Sequence, residues 1–314
     1  MSNVIPRRGA LSPPGDPWLG QYGAAEAPCT VYESAGRLWL ETADKRNCEI
    51  LGERSDRLRL GPQGHEAVRF WTDGDTAMLQ VGGDRLPRRD FGAQALAAVR
   101  GGLRASPAVL RATALAADPP AEPAPARSSE LVDLRRLHPG LRFDIRYATA
   151  DNFMGFPLYD QPGAYLQAPA AQALARVQAS LEREGYGLLI YDAYRPWFVT
   201  RMFWDATPPE QHMFVADPAR GSRHNRGCAV DLTLWSRATG EAVAMTSEFD
   251  EFSTRSYADF VGGTSEQRAQ RQRLRTAMEA QGFAVLPTEW WHFDYQDWPR
   301  YGIGTAGFAE LGAP

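Results

Sequence analysis

Two domains are predicted, an all-β small barrel or sandwich followed by an α+β domain, and three observations carry that expectation. Between Trp18 and about Arg89 apolar residues alternate in short runs punctuated by Gly and Asp, the pattern of strands joined by tight turns. Asp118-Pro119-Pro120-Ala121-Glu122-Pro123-Ala124-Pro125-Ala126 reads as a semi-rigid spacer. Beyond it, apolar residues recur at helical spacing in two long stretches, with continuous apolar runs between them. A length of 314 residues suits two domains, and 44% apolar with 23% charged residues suits a globular chain with a real core.

Residues 1–17 are expected to be disordered: Pro6, Pro13, Pro14 and Pro17 with Gly9 and Gly15 leave few large apolar groups. A β-barrel-like accessory domain is expected over 18–92. Thr30-Val31-Tyr32 and Arg37-Leu38-Trp39-Leu40-Glu41 flank Ser34-Ala35-Gly36, a hairpin pattern. Glu49-Ile50-Leu51 and Leu58-Arg59-Leu60 flank a charged turn; Ala67–Trp71 and Ala77–Val81 flank Thr72-Asp73-Gly74-Asp75. Regular short strands of this kind form sandwiches or barrels. His65, in a Gly-Pro-Gln-Gly turn region, reads as a solvated loop residue. Ala93–Ala116, alanine-rich and broken by Gly101, Gly102 and Pro107, reads as a short helix that leads into the linker, together 93–127.

The second domain is expected over 128–314. Leu131-Val132-Asp133-Leu134 opens it, and Leu141, Phe143, Ile145 and Tyr147 alternate on one face of a strand. His138, before Pro139-Gly140, reads as a turn residue. Ala170, Leu174, Val177 and Leu181 place a helix over 169–184, ended by Gly185. Gly187-Leu188-Leu189-Ile190-Tyr191 is a buried strand, and Pro196 suits the first turn of the next helix. His212, in a loop after Pro208-Pro209, reads as structural. Ala229–Leu234 alternates as a half-buried strand, with Asp231 opposite Val230, Leu232 and Leu234. A second long helix is expected over 264–281, with Leu274, Ala277 and Met278 inward and its arginines on a solvated face.

Composition excludes several function classes. Formal net charge is -4, so no overall basic field is available for nucleic acid. The sequence has no run of 18 apolar residues, so no membrane-spanning helix is expected. The N-terminus lacks the apolar run of a secretory signal, so a cytoplasmic location is expected. Cys29, Cys48 and Cys228 are not a disulfide framework.

Chemistry concentrates in Ser222-Arg223-His224-Asn225-Arg226-Gly227-Cys228-Ala229-Val230-Asp231 and in Glu289-Trp290-Trp291-His292. His224, Asp231 and His292 are a suitable zinc set that leaves a fourth position open, the catalytic arrangement. Glu289 is then the spare carboxylate and the candidate general base. Glu289 and His292 have an odd spacing, so a flat strand cannot bring both to one face; a turn or irregular entry is required. Arg195, in Tyr191-Asp192-Ala193-Tyr194-Arg195-Pro196, follows a strand and is the candidate to stabilise developing negative charge. Asp192 would orient it.

The pattern Ser222-x-His224-x-x-Gly227-x-Ala229-x-Asp231 followed by Glu289-x-x-His292 resembles the zinc D-alanyl-D-alanine dipeptidases of the VanX type. Ile145–Phe153, Tyr191–Pro196 and Phe249-Asp250 match in the same order, so the resemblance covers about residues 128–305. It departs at Cys228, where relatives often carry serine or alanine. The resemblance implies an α+β zinc peptidase domain with a mainly antiparallel sheet and one zinc per chain. It implies hydrolysis of a small D-alanyl-D-alanine-type dipeptide, in cell-wall turnover or a role like glycopeptide resistance. It places Tyr147, Ser222 and Asp250 in the substrate pocket, with Asp250 on the free ammonium. A related D,D- or L,D-carboxypeptidase and an inert zinc-binding module are the alternatives. The first domain resembles, in strand pattern only, the lipocalin-like domains appended to some serine β-lactamase-type enzymes.

Overall fold

A computed structural model describes residues 17–52, 58–61, 66–89, 93–103 and 105–312. The N-terminal stretch before Pro17, expected to be disordered, and His65 lie outside the described residues. The chain forms two compact units. One comprises Met1–Phe91 with Phe260–Ala269, the other Gly92–Asp259 with Gln270–Pro314.

The first unit is an antiparallel meander. Its strands are β1 (Gly20–Tyr22), β2 (Cys29–Ser34), β3 (Arg37–Glu41), β4 (Asn47–Leu51), β5 (Leu58–Gly61), β6 (Ala67–Asp73), β7 (Thr76–Val81) and β8 (Asp84–Pro87), paired in that order. The turn between β2 and β3 places Ala35 at φ 50° and Gly36 at φ 74°. Two left-handed residues are what a two-residue hairpin turn of matching twist requires. Inward residues of alternate positions, among them Tyr22, Val31, Leu40, Leu60, Phe70 and Leu79, fill the interior. The first strand meets the end of the last through a Tyr22–Arg88 bridge and the bonds Gly23 N–H to Pro87 O and Arg89 N–H to Gln21 O. The sheet is thus nearly closed, which removes most of its exposed edge. Cys29 and Cys48 are both buried and both free.

In chain order the remaining elements are α1 (Ala93–Gly102), α2 (Pro107–Ala116), β9 (Leu131–Asp133), β10 (Arg142–Phe143), β11 (Tyr165–Gln167), α3 (Ala168–Arg183), β12 (Tyr186–Asp192), α4 (Trp197–Ala206), β13 (Ala229–Ser236), α5 (Ser265–Glu279), β14 (Phe283–Leu286), β15 (Glu289–Tyr295) and α6 (Phe308–Leu311). Five strands form a mixed sheet in the order β10-β12-β13-β15-β14. Only β10 and β12 are parallel. α3 buries the four residues that predicted it, and Gly185 leaves it at φ 84°, a conformation only glycine adopts freely.

Three expectations change. The alternating Leu141–Tyr147 stretch is a strand only at Arg142–Phe143; the chain then turns through Arg146–Ala148, and Tyr147 is buried from that turn and not from a strand. β13 is buried on both faces, because Asp231 and Thr233 face protein and not water. Residues 93–127 are not a free linker. Val99 and Ala114 have no exposed surface, and Arg100 donates to the carbonyls of Asn152 and Phe153 and Arg111 to that of Leu158. Glu122 pairs with Arg226 and accepts the N–H of Ile303.

The core of the second unit therefore needs α1 and α2. A chain starting at Gly92 is expected to melt higher than one starting at Ser128. Burying Leu or Val side chains contributes about 1.5–3 kcal/mol each; Leu96, Val99, Leu103 and Leu110 all pack here. Several kcal/mol correspond to a difference of roughly 10 °C in Tm. Equal melting temperatures would show that the two helices contribute nothing.

Candidate active site

Strand register brings the chemical groups into one row. Asp192 of β12 stands opposite Asp231 of β13, and Asp231 opposite His292 of β15. Opposite residues of an antiparallel pair share a face. In a regular β12, Asp192 would share the face of Leu188 and Ile190, which lie in the core. A bulge between Ile190 and Asp192 shifts the phase by one residue and turns Asp192 to the site. A second irregularity, between Val285 and Leu286 opposite β15, supplies the irregular entry that the spacing of Glu289 and His292 demands. Their side chains converge, with Glu289 Oε2 3.9 Å from His292 Nδ1.

His224 arrives on the loop before β13. The N–H groups of Asn225, Arg226 and Gly227 bond to the carbonyls of Ser222, Arg223 and His224, a run of tight turns. Gly227 ends the run at φ 67°, and a Cβ there would lie 2.5 Å from Leu131 Cδ2. Glycine therefore makes the bend. Asn225, fully buried, ties the loop to its surroundings: its Oδ1 accepts the Ser222 N–H, and its Nδ2 donates to Arg195 O and Thr200 Oγ1.

Three donor atoms meet at the centre. His224 Nε2 lies 3.0 Å from His292 Nδ1, His292 Nδ1 3.0 Å from Asp231 Oδ1, and His224 Nε2 3.3 Å from Asp231 Oδ1. The outer nitrogens of both rings face acceptors: His224 Nδ1 donates to Ala193 O at 2.6 Å, and His292 Nε2 to Asp294 Oδ1 at 2.9 Å. With those protons outward, the inner nitrogens present lone pairs to each other and to a carboxylate. Such a convergence needs a cation, either a proton or a metal. Tetrahedral zinc with ligand bonds of 2.0–2.1 Å would place its donors about 3.3 Å apart, so these residues fit the ion. Against the cost of burial, Asp294 and Asp231 raise the His292 pKa well above the usual imidazole value. Against the same cost, His224 and His292 hold Asp231 below the usual carboxylate range.

A cavity of about 220 Å³ opens over this centre. Typical ligand pockets run from about 300 to 1,000 Å³, so the occupant is small. Glu289 borders the cavity; burial pushes its carboxyl up to about 7, with His292 opposing and Asp231 adding. Arg195 also borders it. Its Nε and Nη2 reach Asp192 Oδ2 at 2.9 and 2.8 Å, and Nη2 stands 3.6 Å from Asp231. Asp192, wholly buried, accepts a further bond from the Tyr159 hydroxyl. Asp192 thus fixes the guanidinium, which lies over the rings of Phe203 and Tyr147 at 4.8 and 5.1 Å.

Tyr147, Ser222 and Asp250 all line the cavity. The Tyr147 hydroxyl donates to both Asp250 oxygens, at 3.0 and 2.9 Å. Burial, then Asp231, pushes the Asp250 carboxyl well above the usual range. Asp250 also sits at φ 59°, a conformation that costs most residues energy but that aspartate tolerates. Ser222 Oγ accepts the His224 N–H and so shapes the ligand loop as well. Trp290 and Trp291 are buried in the core and do not line the cavity. The aromatic wall is Tyr147, Phe153, Phe203, Phe214 and Phe252. His138 accepts the Gly140 N–H, and His212 bonds to Thr207 O and stacks on Trp204, so both are structural, as expected.

Sequence reasoning missed Asp294, Asn225 and the Ala193 carbonyl. Asp294 was legible, since a residue two after His292 on a strand shares its face. The carbonyl carries no side-chain signal.

A buried carboxylate beside three converging donors, in a small pocket with a fixed guanidinium, is an arrangement suited to hydrolysis. A family model described as D-ala-D-ala dipeptidase matches residues 127–304, and the chain belongs to that family of peptidases. The D-alanyl-D-alanine dipeptidase of Escherichia coli (strain K12) is 38% identical over 176 residues, 56% of this chain and 90% of that protein. Its namesakes in Enterococcus faecium and Streptomyces coelicolor (strain ATCC BAA-471 / A3(2) / M145) are each 35% identical, over 51% of this chain and 88% and 89% of theirs. The family match begins at residue 127, so all eight strands of the first unit lie outside it. No helix among the described residues is long and apolar enough to cross a membrane.

Proposed function

We propose that this chain hydrolyses free D-alanyl-D-alanine-type dipeptides, with one zinc per chain held by His224, Asp231 and His292. The observation that carries the proposal is the convergence of three lone-pair donors within 3.0–3.3 Å, with Glu289 beside them. Family membership supports the substrate class. Zinc, when bound, lowers the pKa of a water to about 7 and polarises a carbonyl as a Lewis acid.

The protein's own groups do the rest. Ala193 O and Asp294 hold both imidazoles in the tautomer that offers a lone pair inward. Glu289 takes the proton of the attacking water and passes it to the leaving amine. Arg195, fixed by Asp192, donates to the oxygen on which negative charge develops. Its rigid placement means that little reorganisation is needed as the reaction proceeds. Asp250, with Tyr147 on its oxygens, faces the substrate ammonium, and Ser222 completes that wall and the ligand loop.

A hold on the ammonium separates a dipeptidase from a carboxypeptidase. D-Ala-D-Ala should be cleaved, and its N-acetyl derivative at most about one hundredth as fast, because acetylation removes a charge-assisted contact of about 1.5–3 kcal/mol and adds bulk to a small pocket. Efficient cleavage of the acetylated compound would favour the carboxypeptidase alternative.

A further inference from the structure

We infer that Arg223 is the residue that holds the substrate's terminal carboxylate, and that it sets the preference for a free C-terminus. The inference rests on the dipeptidase reading and supplies the partner for the second charged end. A dipeptide carries an ammonium and a carboxylate on opposite sides of its scissile carbonyl. Consecutive Cα atoms are only about 3.8 Å apart, so both ends lie within a few ångströms of the reacting atoms. A pocket selective for free dipeptides needs a cation on the side away from Asp250.

Two arginines line the pocket among the described residues, Arg195 and Arg223. Arg195 is already bound to Asp192, stands 3.6 Å from Asp231 and lies over Tyr147, the partner of Asp250. It belongs to the ammonium side. Arg223 stands beyond His292: its Nε is 3.5 Å from Asp294 Oδ2, and Asp294 is the acceptor on the outer nitrogen of His292. The contacts that connect the two arginines run through Asp231, His292 and Asp294.

Arg223 is also built to receive an anion. Its backbone is pinned, since its carbonyl accepts the N–H groups of both Arg226 and Cys228 at 3.1 Å. Its guanidinium lies 4.7 Å over the Trp298 ring, which orients the plane. Among the described residues the guanidinium donates no hydrogen bond, and the Asp294 contact is a loose one. The side chain is 43% exposed. An oriented, half-open arginine with unspent N–H groups suits bidentate capture of a carboxylate. The neighbouring Arg226, in contrast, is consumed by Glu122 and the Tyr301 carbonyl.

The test compares D-Ala-D-Ala with its C-terminal amide on the zinc-loaded full chain, for the wild type, Arg223→Gln and Arg223→Lys, with metal content measured on each sample. A hydrogen bond to a charged group contributes about 1.5–3 kcal/mol, which is roughly 10- to 150-fold. Arg223→Gln should raise KM for the free acid by about that factor, leave kcat within about threefold and leave the amide unaffected. The acid-to-amide preference should then collapse, Arg223→Lys should restore part of it, and zinc should remain at one per chain. A variant that keeps the wild-type preference overturns the assignment. So does a parallel loss of zinc, or of kcat on both compounds, which would make Arg223 only a prop for Asp294. Wild-type protein that cleaves neither compound would instead remove the dipeptidase reading, and the role of Arg223 with it.

Discussion

Glu289→Gln is expected to lower kcat on D-Ala-D-Ala by about 10²–10⁴-fold, the usual contribution of a positioned general acid–base, while zinc stays bound. Glutamine keeps the size and hydrogen-bonding reach of the side chain but cannot carry a proton. The carboxylate is not one of the three converging donors, and its Oε2 lies 3.9 Å from His292 Nδ1. Loss of turnover with retained metal is thus the outcome particular to a base. Burial pushes the Glu289 carboxyl up to about 7, so the group can both accept and release a proton near neutral pH. KM should move little, since the proton transfers belong to the transition state. Zinc analysis alongside steady-state kinetics checks this, and near-normal kcat would remove Glu289 from the reaction.

His224→Ala is expected to remove the metal and the activity together. Three ligands are the minimum for a catalytic zinc site, and two remaining donors cannot hold the ion tightly. Loss of a Lewis acid worth several kcal/mol of charge stabilisation lowers turnover by about 10³-fold or more. His224 is nearly without exposed surface and bonds to the Ala193 carbonyl, so the substitution also leaves a buried acceptor unpaired. Comparing melting curves with zinc content separates the two effects. A variant that kept one zinc per chain and normal turnover would refute the ligand set.

The parts of the fold read well from sequence are those whose pattern is local. The helix over Ala168–Arg183 follows from Ala170, Leu174, Val177 and Leu181, and its end from Gly185. The hairpin at Ala35-Gly36 follows from its turn residues. That His224, Asp231 and His292 belong together could also be read from residue type and spacing, and the structure brings the three within reach of one another. What stayed hidden is set by pairing between distant strands. The bulge that turns Asp192 toward Asp231 leaves no mark in the local sequence, and the true length of the strand at Arg142–Phe143 depends on where Tyr147 is buried. The place of the tryptophans of β15 was not legible either, because bulk alone does not say whether a side chain lines a pocket or fills a core. The proline-rich segment misled for a related reason: composition announces stiffness, but not that Glu122 is held by Arg226 and by the N–H of Ile303.

The central claim is that His224, Asp231 and His292 hold one zinc on which dipeptide hydrolysis depends. It is tested most directly by stripping the protein with a chelator and following D-Ala-D-Ala turnover as zinc is added back. Turnover should start near zero, rise in proportion to added zinc and level off at about one equivalent per chain. A rate that is already full in the stripped protein, or that never rises with zinc, would contradict the account.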